Sequence, residues 1–408
     1  MSPTKVIIIG CGIAGPVLAM FLKMKGYGPI IYERLEDQLD AGIGIMLQTN
    51  GLRVLSLIPG LIDKLKGQIV ERAAAYSILP EETALLGDTD APRKLMLDRH
   101  GFGLMGIRRT LLLHTLIAAA EERGVQVVRG HELTRIQQKV DCVIVTFKNG
   151  NEDTGGFVVG CDGLHSNTRV CLFGQEQADF TGLTQMGGVA PTPEALSQAS
   201  VMVNYFADGA HMISYPISQT HTGWAITRRE PELKESWRSL DDEKQTQIKT
   251  GEFSTWPFGA GELVKHADRI VKYGLYDRPE LAAWHKDRVV LLGDAAHPTS
   301  PHLGQGANQA FEDVYHLVRV LLKYNPDAGN PDTAALAKAF EEYENVRIPR
   351  SATLVKAARK MGDLRVTHGV ENCLRRNEAF KHMGDDLEVV YETYKPIVEF
   401  PFLGESEI

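Results

Sequence analysis

The fold is decided by residues 5–33, which read KVIIIGCGIAGPVLAMFLKMKGYGPIIYE. The β-branched run Lys5–Ile9 predicts a strand, the spacing of apolar residues in Ala14–Lys25 predicts a helix, and Pro29–Tyr32 is a second apolar run typical of a strand. Two strands joined through a helix form one βαβ unit of a parallel sheet, and such crossovers are right-handed. The chain therefore begins with an α/β lobe.

The turn between the first strand and the helix carries the pattern GxGxxG at Gly10, Gly12 and Gly15. Gly10 permits a tight turn, Gly12 lets the backbone approach a pyrophosphate, and Gly15 lets the helix lie close to the strand. Phosphates there meet the free amides and the positive dipole of the helix N-terminus. Glu33 ends the second strand, where a carboxylate accepts hydrogen bonds from ribose hydroxyls. The motif predicts a dinucleotide site without choosing between NAD and FAD, and a glycine turn without a nucleotide is the alternative.

A second segment, residues 160–169, reads GCDGLHSNTR and follows the predicted strand Phe157–Val159. Asp162 and Gly163 turn the chain sharply at the end of this strand, although Asp-Gly taken alone is more often only a turn. The run Ser166–Arg169 predicts the capped start of a helix.

A third segment, residues 288–313, reads RVVLLGDAAHPTSPHLGQGANQAFED. A buried strand delivers Asp294 to the carboxyl edge of the sheet, where ligands bind in this architecture. Two prolines, the second of them Pro301, keep the following loop extended. Gly304 and Gly306 then open a helix whose first amides face the loop. A simple turn or cap explains any one of these residues, but it explains the whole segment poorly.

In this order and at these separations, the three segments resemble the group A flavoprotein monooxygenases, the family of salicylate hydroxylase and para-hydroxybenzoate hydroxylase. The resemblance extends over roughly residues 1–60, 100–175 and 285–350. It implies an α/β fold with a Rossmann-like FAD-binding lobe, an inserted mixed β-sheet substrate domain and C-terminal helices.

The chain is long enough for two packed lobes. Between about residues 178 and 270 the sequence pattern changes to short segments in which apolar and polar residues alternate. The expected boundaries are residues 1–75, 101–177 and 271–345 for the FAD-binding lobe, 76–100 for a first excursion into the substrate domain, 178–270 for the substrate-binding sheet, and 346–408 for the C-terminal helices and tail.

The resemblance also implies which residues hold a non-covalent FAD. Arg109 matches the family arginine near the flavin and pyrophosphate, although Arg108 beside it is a second candidate. Asp162 matches an aspartate implicated in FAD and NAD(P)H interaction, Asp294 would bind the ribityl or pyrophosphate part, and Gly304–Asn308 would lie against the isoalloxazine ring. The full expected set is Gly10, Gly12, Ile13, Ala14, Gly15, Glu33, Arg34, Arg109, Asp162, Asp294, Pro301, Gly304, Gly306, Ala307 and Asn308.

The chemistry implied by the resemblance is the hydroxylation of a small aromatic or phenolic substrate. NADPH or NADH, as a transient co-substrate, reduces the flavin, O2 adds to the reduced flavin, and the C4a-hydroperoxide transfers a hydroxyl group. Helix-start amides at Gly306 and Ala307 would stabilise the negative charge of the reduced flavin.

The substrate pocket is expected between the inserted sheet and the flavin. His211 and Tyr215 are four residues apart on an alternating strand and therefore share a face. His302 follows Pro301 in the loop that precedes the flavin-facing glycines. A neighbouring histidine or tyrosine assists deprotonation of a phenol, so His302, Tyr215 and His211 are the candidate catalytic residues. The alternative for His211 is a hydrogen-bonded histidine of an edge strand.

Composition excludes several other classes of protein. The net charge of -8 argues against a nucleic-acid partner, and no stretch approaches the roughly 18 apolar residues of a membrane span. The 5 cysteines are odd in number and show no CxxC spacing, which indicates reduced thiols, a cytoplasmic location and no metal site. The expected partners are a small-molecule substrate and O2, with the chain acting as a monomer or homodimer.

Two other functions stay open on the sequence. The same flavin chemistry acts on an alkene or a complex natural product in some relatives, including those that inactivate tetracycline antibiotics. A third hypothesis is a non-catalytic interaction protein of the flavin fold, like the GDP-dissociation inhibitors. The presence of Asp162, Asp294 and Gly304–Asn308 argues against this last function.

Overall fold

A computed structural model of the protein describes residues 3–37, 43–232, 240–381 and 386–408. Gly42 and Gly44 predict a glycine-rich turn in residues 41–58, and Gly42 lies outside the described residues. The strands are β1 (Lys5–Ile9), β2 (Gly28–Tyr32), β3 (Gly44–Leu47), β4 (Gln68–Val70), β5 (Arg72–Leu79), β6 (Glu82–Thr89), β7 (Leu104–Arg108), β8 (Gln126–Val128), β9 (Leu133–Gln138), β10 (Val143–Phe147), β11 (Glu152–Gly155), β12 (Phe157–Gly160), β13 (Asp179–Pro191), β14 (Val201–Phe206), β15 (Ala210–Pro216), β16 (His221–Arg229), β17 (Ile270–Asp277), β18 (His285–Lys286) and β19 (Val289–Leu291). The α-helices are α1 (Ala14–Met24), α2 (Thr49–Ser56), α3 (Leu61–Lys64), α4 (Arg109–Glu122), α5 (Asn167–Phe173), α6 (Glu194–Ser197), α7 (Asp242–Thr250), α8 (Ala260–Lys265), α9 (Gly306–Tyr324), α10 (Thr333–Arg365), α11 (Val370–Lys381) and α12 (Leu387–Val398).

The first lobe is built on a six-stranded sheet in the order β18-β19-β12-β1-β2-β8. All neighbours pair in parallel except the edge strand β18. Val6–Ile9 of β1 are buried, because α1 packs on β1 and β2 and is itself packed against α4 and α9. Three strands from distant parts of the chain, β1, β12 and β19, lie side by side, so the loops after them meet at one edge of the sheet.

The second lobe is a seven-stranded mixed sheet in the order β17-β13-β16-β15-β14-β5-β6. β5 and β14 pair in parallel, and the other neighbours are antiparallel. β17 belongs to this sheet although it lies almost entirely past the predicted boundary at 270, and β5 begins before the predicted boundary at 75. An apolar run specifies a buried strand but not which of two sheets it joins.

A small antiparallel sheet, β3-β7-β4, connects the two lobes and was not predicted. Its glycines allow close contact with β15: a Cβ on Gly106 would lie 2.1 Å from the carbonyl oxygen of Pro216, and one on Gly44 would lie 2.9 Å from the Tyr215 ring. β7 leads directly into α4, so this sheet fixes where Arg109 enters the space between the lobes.

Helices α9 and α10 are joined by a buried ion cluster. Arg347 of α10 donates to Asp313 over 2.7 Å and to Glu312 over 2.5 Å, and all three side chains are fully buried. Burial alone would raise the pKa of Glu312, but Arg347 and Arg350 lower it to about 2. The cluster holds the helix that begins at Gly306 in place against the rest of the first lobe.

Candidate FAD and substrate site

A cavity of about 570 Å³ lies between the two large sheets. The loops after β1, β12 and β19 line one part of it, and side chains of β13, β14 and β15 line the other. The cavity therefore combines a nucleotide-type surface at the carboxyl edge of a parallel sheet with a wall supplied by the mixed sheet.

In the glycine loop after β1, two of the three glycines are needed because a side chain would clash with the protein backbone, and the third has open space beside it. A Cβ on Gly10 would lie 2.5 Å from the Cys161 carbonyl oxygen, and one on Gly15 would lie 2.2 Å from the Gly10 carbonyl oxygen. A Cβ on Gly12 would meet no described heavy atom within 4 Å. Gly12 therefore leaves space open at the start of α1, as a bound pyrophosphate requires.

The first turn of α1 is also electrostatically suited to an anion. None of the described side chains caps α1, so its first amides point toward the cavity that Gly12, Ile13 and Ala14 line. Unsatisfied amides and the helix dipole favour a negative group at this position. These residues fit the pyrophosphate of FAD.

Glu33 and Arg34 lie at the end of β2 and do not line the cavity. The Glu33 carboxylate accepts hydrogen bonds from the backbone amides of Cys11 at 2.9 Å and Leu35 at 3.0 Å. It therefore fixes the glycine loop to the second strand, and its remaining lone pairs are where we expect ribose hydroxyls to bind. Arg34 is exposed beside it.

Asp162 acts within its own loop. Its carboxylate accepts hydrogen bonds from the Ser166 hydroxyl at 2.5 Å and from the Thr168 amide at 2.9 Å, and burial raises its pKa. Ser166 caps α5, as predicted, by accepting from the Arg169 amide. Gly163, not the Asp162 side chain, lines the cavity, so Asp162 shapes the turn that faces it.

Asp294 and Arg109 face each other in the cavity. Asp294 lies in the 3-10 turn Gly293–Ala295 that follows β19, and its side chain is accessible from the cavity. Burial lowers the pKa of Arg109, and the charge of Asp294 opposes that shift. Arg108 instead pairs with exposed Asp268 at 3.5 Å and is absent from the cavity wall. Of the two adjacent arginines, the geometry favours Arg109 as the cofactor ligand.

The N-terminal end of α9 and the turn before it line the part of the cavity where we expect FAD. Pro301, Gly304, Gly306 and Ala307 line the cavity, and no described side chain caps α9. Asn308 is fully buried and lies outside the lining. Its side chain joins the neighbouring segments, because it accepts from the Gln48 amide at 2.9 Å and donates to the carbonyl oxygens of Met46 at 3.1 Å and Gly304 at 2.8 Å. Asn308 therefore positions the loop that we expect to face the isoalloxazine ring.

The three candidate catalytic residues line the same cavity, His211 and Tyr215 from β15 of the mixed sheet and His302 from the 3-10 turn Pro301–Leu303 before α9. Tyr215 and His211 share the predicted strand face with Ile213 between them. His211 is buried and its Nε2 lies 3.0 Å from the Asn204 side-chain oxygen. The Nε2 of His302 is buried without a hydrogen-bond partner among the described residues. The structure thus brings together the residues that we proposed from strand period and loop position.

Both histidines are kept neutral by their surroundings. Burial, helped by the charge of Arg365, lowers the pKa of His302 to about 3 and lowers that of His211 well below its usual value. Burial also raises the pKa of Tyr215. At neutral pH the wall therefore offers neutral imidazole nitrogens that can accept a hydrogen bond and a phenol that can donate one.

The C-terminal helices supply a part of the cavity wall that was not predicted from the sequence. Met361 and Arg365 of α10, and Val390, Tyr394 and Ile397 of α12, also line the cavity. Arg365 is surrounded in the sequence by the charged pattern of a surface helix, so composition did not distinguish it. Its spacing of seven from buried Ala358 places it on the packed face of α10, which is the one available signal.

The sequence matches the family described as "FAD binding domain" over residues 3–358, which is most of the chain. The chain belongs to this FAD-binding family. The flavoprotein is 29% identical over 396 residues to 3-amino-4-hydroxybenzoate 2-monooxygenase PtmB3 of Streptomyces platensis, and the matched region covers 95% of each chain. 6-Hydroxynicotinate 3-monooxygenase of Bordetella bronchiseptica is 26% identical over 377 residues, covering 90% of this chain and 94% of that protein.

The flavoprotein also shares its fold with Klebsiella pneumoniae HpxO, whose crystal structure contains FAD and uric acid. The TM-score is 0.82 at 23% identity, over 96% of this chain and 97% of that one. The predicted family, fold class, FAD cofactor and enzyme class are therefore confirmed: the protein is an FAD-dependent monooxygenase.

Within the described ranges, the flavoprotein has no helix that is both long and apolar enough to cross a membrane. The same residues contain no group of three or more His, Cys, Asp or Glu side chains arranged to hold a metal ion.

Replacing Asp294 with alanine is expected to weaken FAD binding by roughly ten- to hundredfold, because a charge-assisted hydrogen bond contributes about 1.5–3 kcal/mol. The dissociation constant is measured by titrating FAD into the apoprotein and following flavin fluorescence. Asp268→Ala, which removes an exposed carboxylate outside the cavity, is the control and should bind FAD as the parent does. Equal FAD affinity in both variants would show that Asp294 does not contact the cofactor.

Proposed function

We propose that this protein hydroxylates a small aromatic or phenolic substrate with NADPH or NADH and O2, acting as a monomer or homodimer in the cytoplasm. One observation carries the proposal: a single cavity runs from the uncapped starts of α1 and α9 to a wall containing His211, Tyr215 and His302. The two named relatives act on a hydroxybenzoate and a hydroxynicotinate, which are small rings with an oxygen substituent. All five cysteines are unpaired, in agreement with a reducing compartment.

When bound, FAD would accept the reducing equivalents of NAD(P)H and activate O2. The protein's own part is to bind and orient. The α1 amides and Gly12 would hold the pyrophosphate, with Arg109 and Asp294 on the adjoining part of the cofactor. Gly306 and Ala307 would present helix-start amides to the flavin and stabilise negative charge on it.

The mixed-sheet wall would activate the substrate. A phenol reacts best as its phenolate, so a proton has to leave the ring hydroxyl. His302 lines the cavity and its Nε2, which packs against Gly362, has no partner within the described residues, so we propose that it accepts a hydrogen bond from the substrate hydroxyl. His211 is oriented by Asn204, and Tyr215 can donate a hydrogen bond to the substrate oxygen.

The test is a screen of phenols, hydroxybenzoates and hydroxypyridines for stimulated oxidation of NADH and NADPH, with product masses read for a gain of one oxygen atom. The purified protein should be yellow, and acid precipitation should release all of the flavin into the supernatant. Stimulation without an oxygenated product, or a protein that remains colourless after reconstitution with FAD, would contradict the proposal.

A further inference from the structure

Arg365 is the last residue of α10, and its side chain lines the cavity beside His302 and His211. Its side chain makes no hydrogen bond or ion pair with the described part of the chain. Burial lowers the pKa of Arg365 to about 10, which leaves it charged at neutral pH. Among the described residues, Arg365 is therefore a cation in the cavity wall without a compensating anion.

The groups around Arg365 do not supply that anion. Tyr394 of α12 is the ionisable group whose charge interacts with it, and burial raises the pKa of Tyr394 so that it stays neutral. Nearby carboxylates are engaged elsewhere: Asp363 pairs with Arg229 at 2.8 Å, and Asp208 pairs with His368 at 2.7 Å. A desolvated charge without a partner is costly, so a protein that keeps one has a use for it.

Other buried arginines of this chain show what the usual arrangement is. Arg53 donates to the Val398 carbonyl oxygen at 2.7 Å, and Arg288 donates to the Gly156 carbonyl oxygen at 2.9 Å. Arg347 has two carboxylates. These arginines hold the fold together, whereas Arg365 lines the cavity and its guanidinium has no such acceptor among the described residues.

We propose that Arg365 binds an anionic group of the substrate, a carboxylate on the aromatic ring, so that the enzyme is selective for aromatic acids. This inference rests on the proposed function. The planar guanidinium matches a carboxylate through two parallel N–H···O bonds. Tyr394, which lines the same part of the cavity, has a hydroxyl that can donate to the same group.

A bound carboxylate would also change the neighbouring histidines. The charge of Arg365 lowers the pKa of both His302 and His211. Pairing Arg365 with an anion cancels much of that field, so both imidazoles become better proton acceptors when a substrate acid is bound. An aromatic acid is then held and activated by one binding event.

The experiment compares acids with their neutral amides on the FAD-loaded enzyme. The ligands are benzoate, 3-hydroxybenzoate, 4-hydroxybenzoate and 6-hydroxynicotinate, each paired with its carboxamide. Dissociation constants come from the change in flavin absorbance, and KM and kcat come from NAD(P)H oxidation. The proteins are the parent, Arg365→Gln, Arg365→Lys, and Lys360→Gln, which removes an exposed positive charge from the same helix.

We expect at least one acid to bind the parent at least about tenfold more tightly than its amide. Arg365→Gln should weaken the binding of that acid by about ten- to hundredfold, while the affinity for its amide and the FAD content stay unchanged. Arg365→Lys should recover part of the loss, because it retains the charge but not the two-pronged contact. Lys360→Gln should behave as the parent.

The proposal is overturned if no acid binds more tightly than its amide, or if Arg365→Gln weakens the binding of acid and amide equally. The result also separates this proposal from the proposed function. If acids bind through Arg365 but none is oxygenated, hydroxylation fails and the anion site stands. If neutral phenols are oxygenated and Arg365→Gln has no effect, the anion site fails and hydroxylation stands.

Discussion

Replacing Arg347 with methionine is expected to lower the free energy of unfolding by about 3–5 kcal/mol, the cost of leaving a buried ion cluster without one partner. Arg347, Glu312 and Asp313 are fully buried, so each carboxylate would lose one buried counter-charge, while Glu312 keeps its contact with Arg350 and Asp313 keeps its contact with His297. The measurement is denaturant unfolding of the FAD-loaded enzyme. Arg375→Met, which removes a cation from an exposed pair with Glu371, is the control and should leave stability unchanged within error.

The stability of this variant should depend less on pH in the acid range than that of the parent. In the parent, the pKa values of Glu312 and Asp313 are lowered to about 2, so their contribution is present above the unfolded-state values near 4 and is lost as pH falls from there toward 2. Without Arg347, burial raises both pKa values from about 2, although Arg350 still lowers that of Glu312 and the His297 contact still lowers that of Asp313. Arg347→Met should therefore lose less stability than the parent on acidification, and adding Glu312→Gln should recover part of its deficit. A parent-like pH profile in the variant would contradict the assignment.

Replacing His302 with phenylalanine is expected to slow substrate oxygenation by about 10²–10⁴-fold, the usual contribution of general acid–base assistance. The ring packs against Gly362, where a Cβ would lie 2.6 Å from Nε2, so phenylalanine retains the shape of the ring and removes the nitrogen. FAD content should be unchanged, and more of the NAD(P)H consumed should appear as H2O2. Rapid-mixing kinetics and peroxide assays measure both effects.

His221→Gln is the matched control, because His221 lies on β16, outside the cavity wall, and contacts the Thr220 hydroxyl at 2.8 Å. Since the pKa of His302 is about 3, the parent's kcat/KM should show no acid limb near pH 6.5 attributable to this histidine. A His302→Phe variant with parent-like oxygenation would show that the residue only packs.

Local sequence predicted the cofactor side of the site well, for a physical reason. Gly12 and Asp294 lie where a strand ends and the chain turns, and the chemistry of such a turn is written in a few consecutive residues. The shared face of His211 and Tyr215 follows from the period of two in a strand and is found in the structure. Periodicity is a local property, so it transfers directly from sequence to structure.

Tertiary contacts were less accessible to the same reasoning. β3 is only four residues long and follows a glycine-rich run, so its pairing with β7 depends on residues sixty positions away. Arg365 belongs to the site because the end of α10 packs against the turn that carries His302, and no short sequence motif predicts that contact. Asn308 and Asp162 were expected at the cofactor itself, but their side chains engage neighbouring segments of the protein.

The parallel order β19-β12-β1 has a consequence for how the enzyme is made. At about 5–20 residues per second, a ribosome takes roughly 15–60 s to pass from β1 to β19. During that interval the growing sheet lacks its third central strand, and an unpaired strand edge invites association with other nascent chains. The residues that would hold the flavin end of the cofactor are synthesised later still. Flavin incorporation is therefore expected late in folding, after the chain has been synthesised at least as far as Asn308.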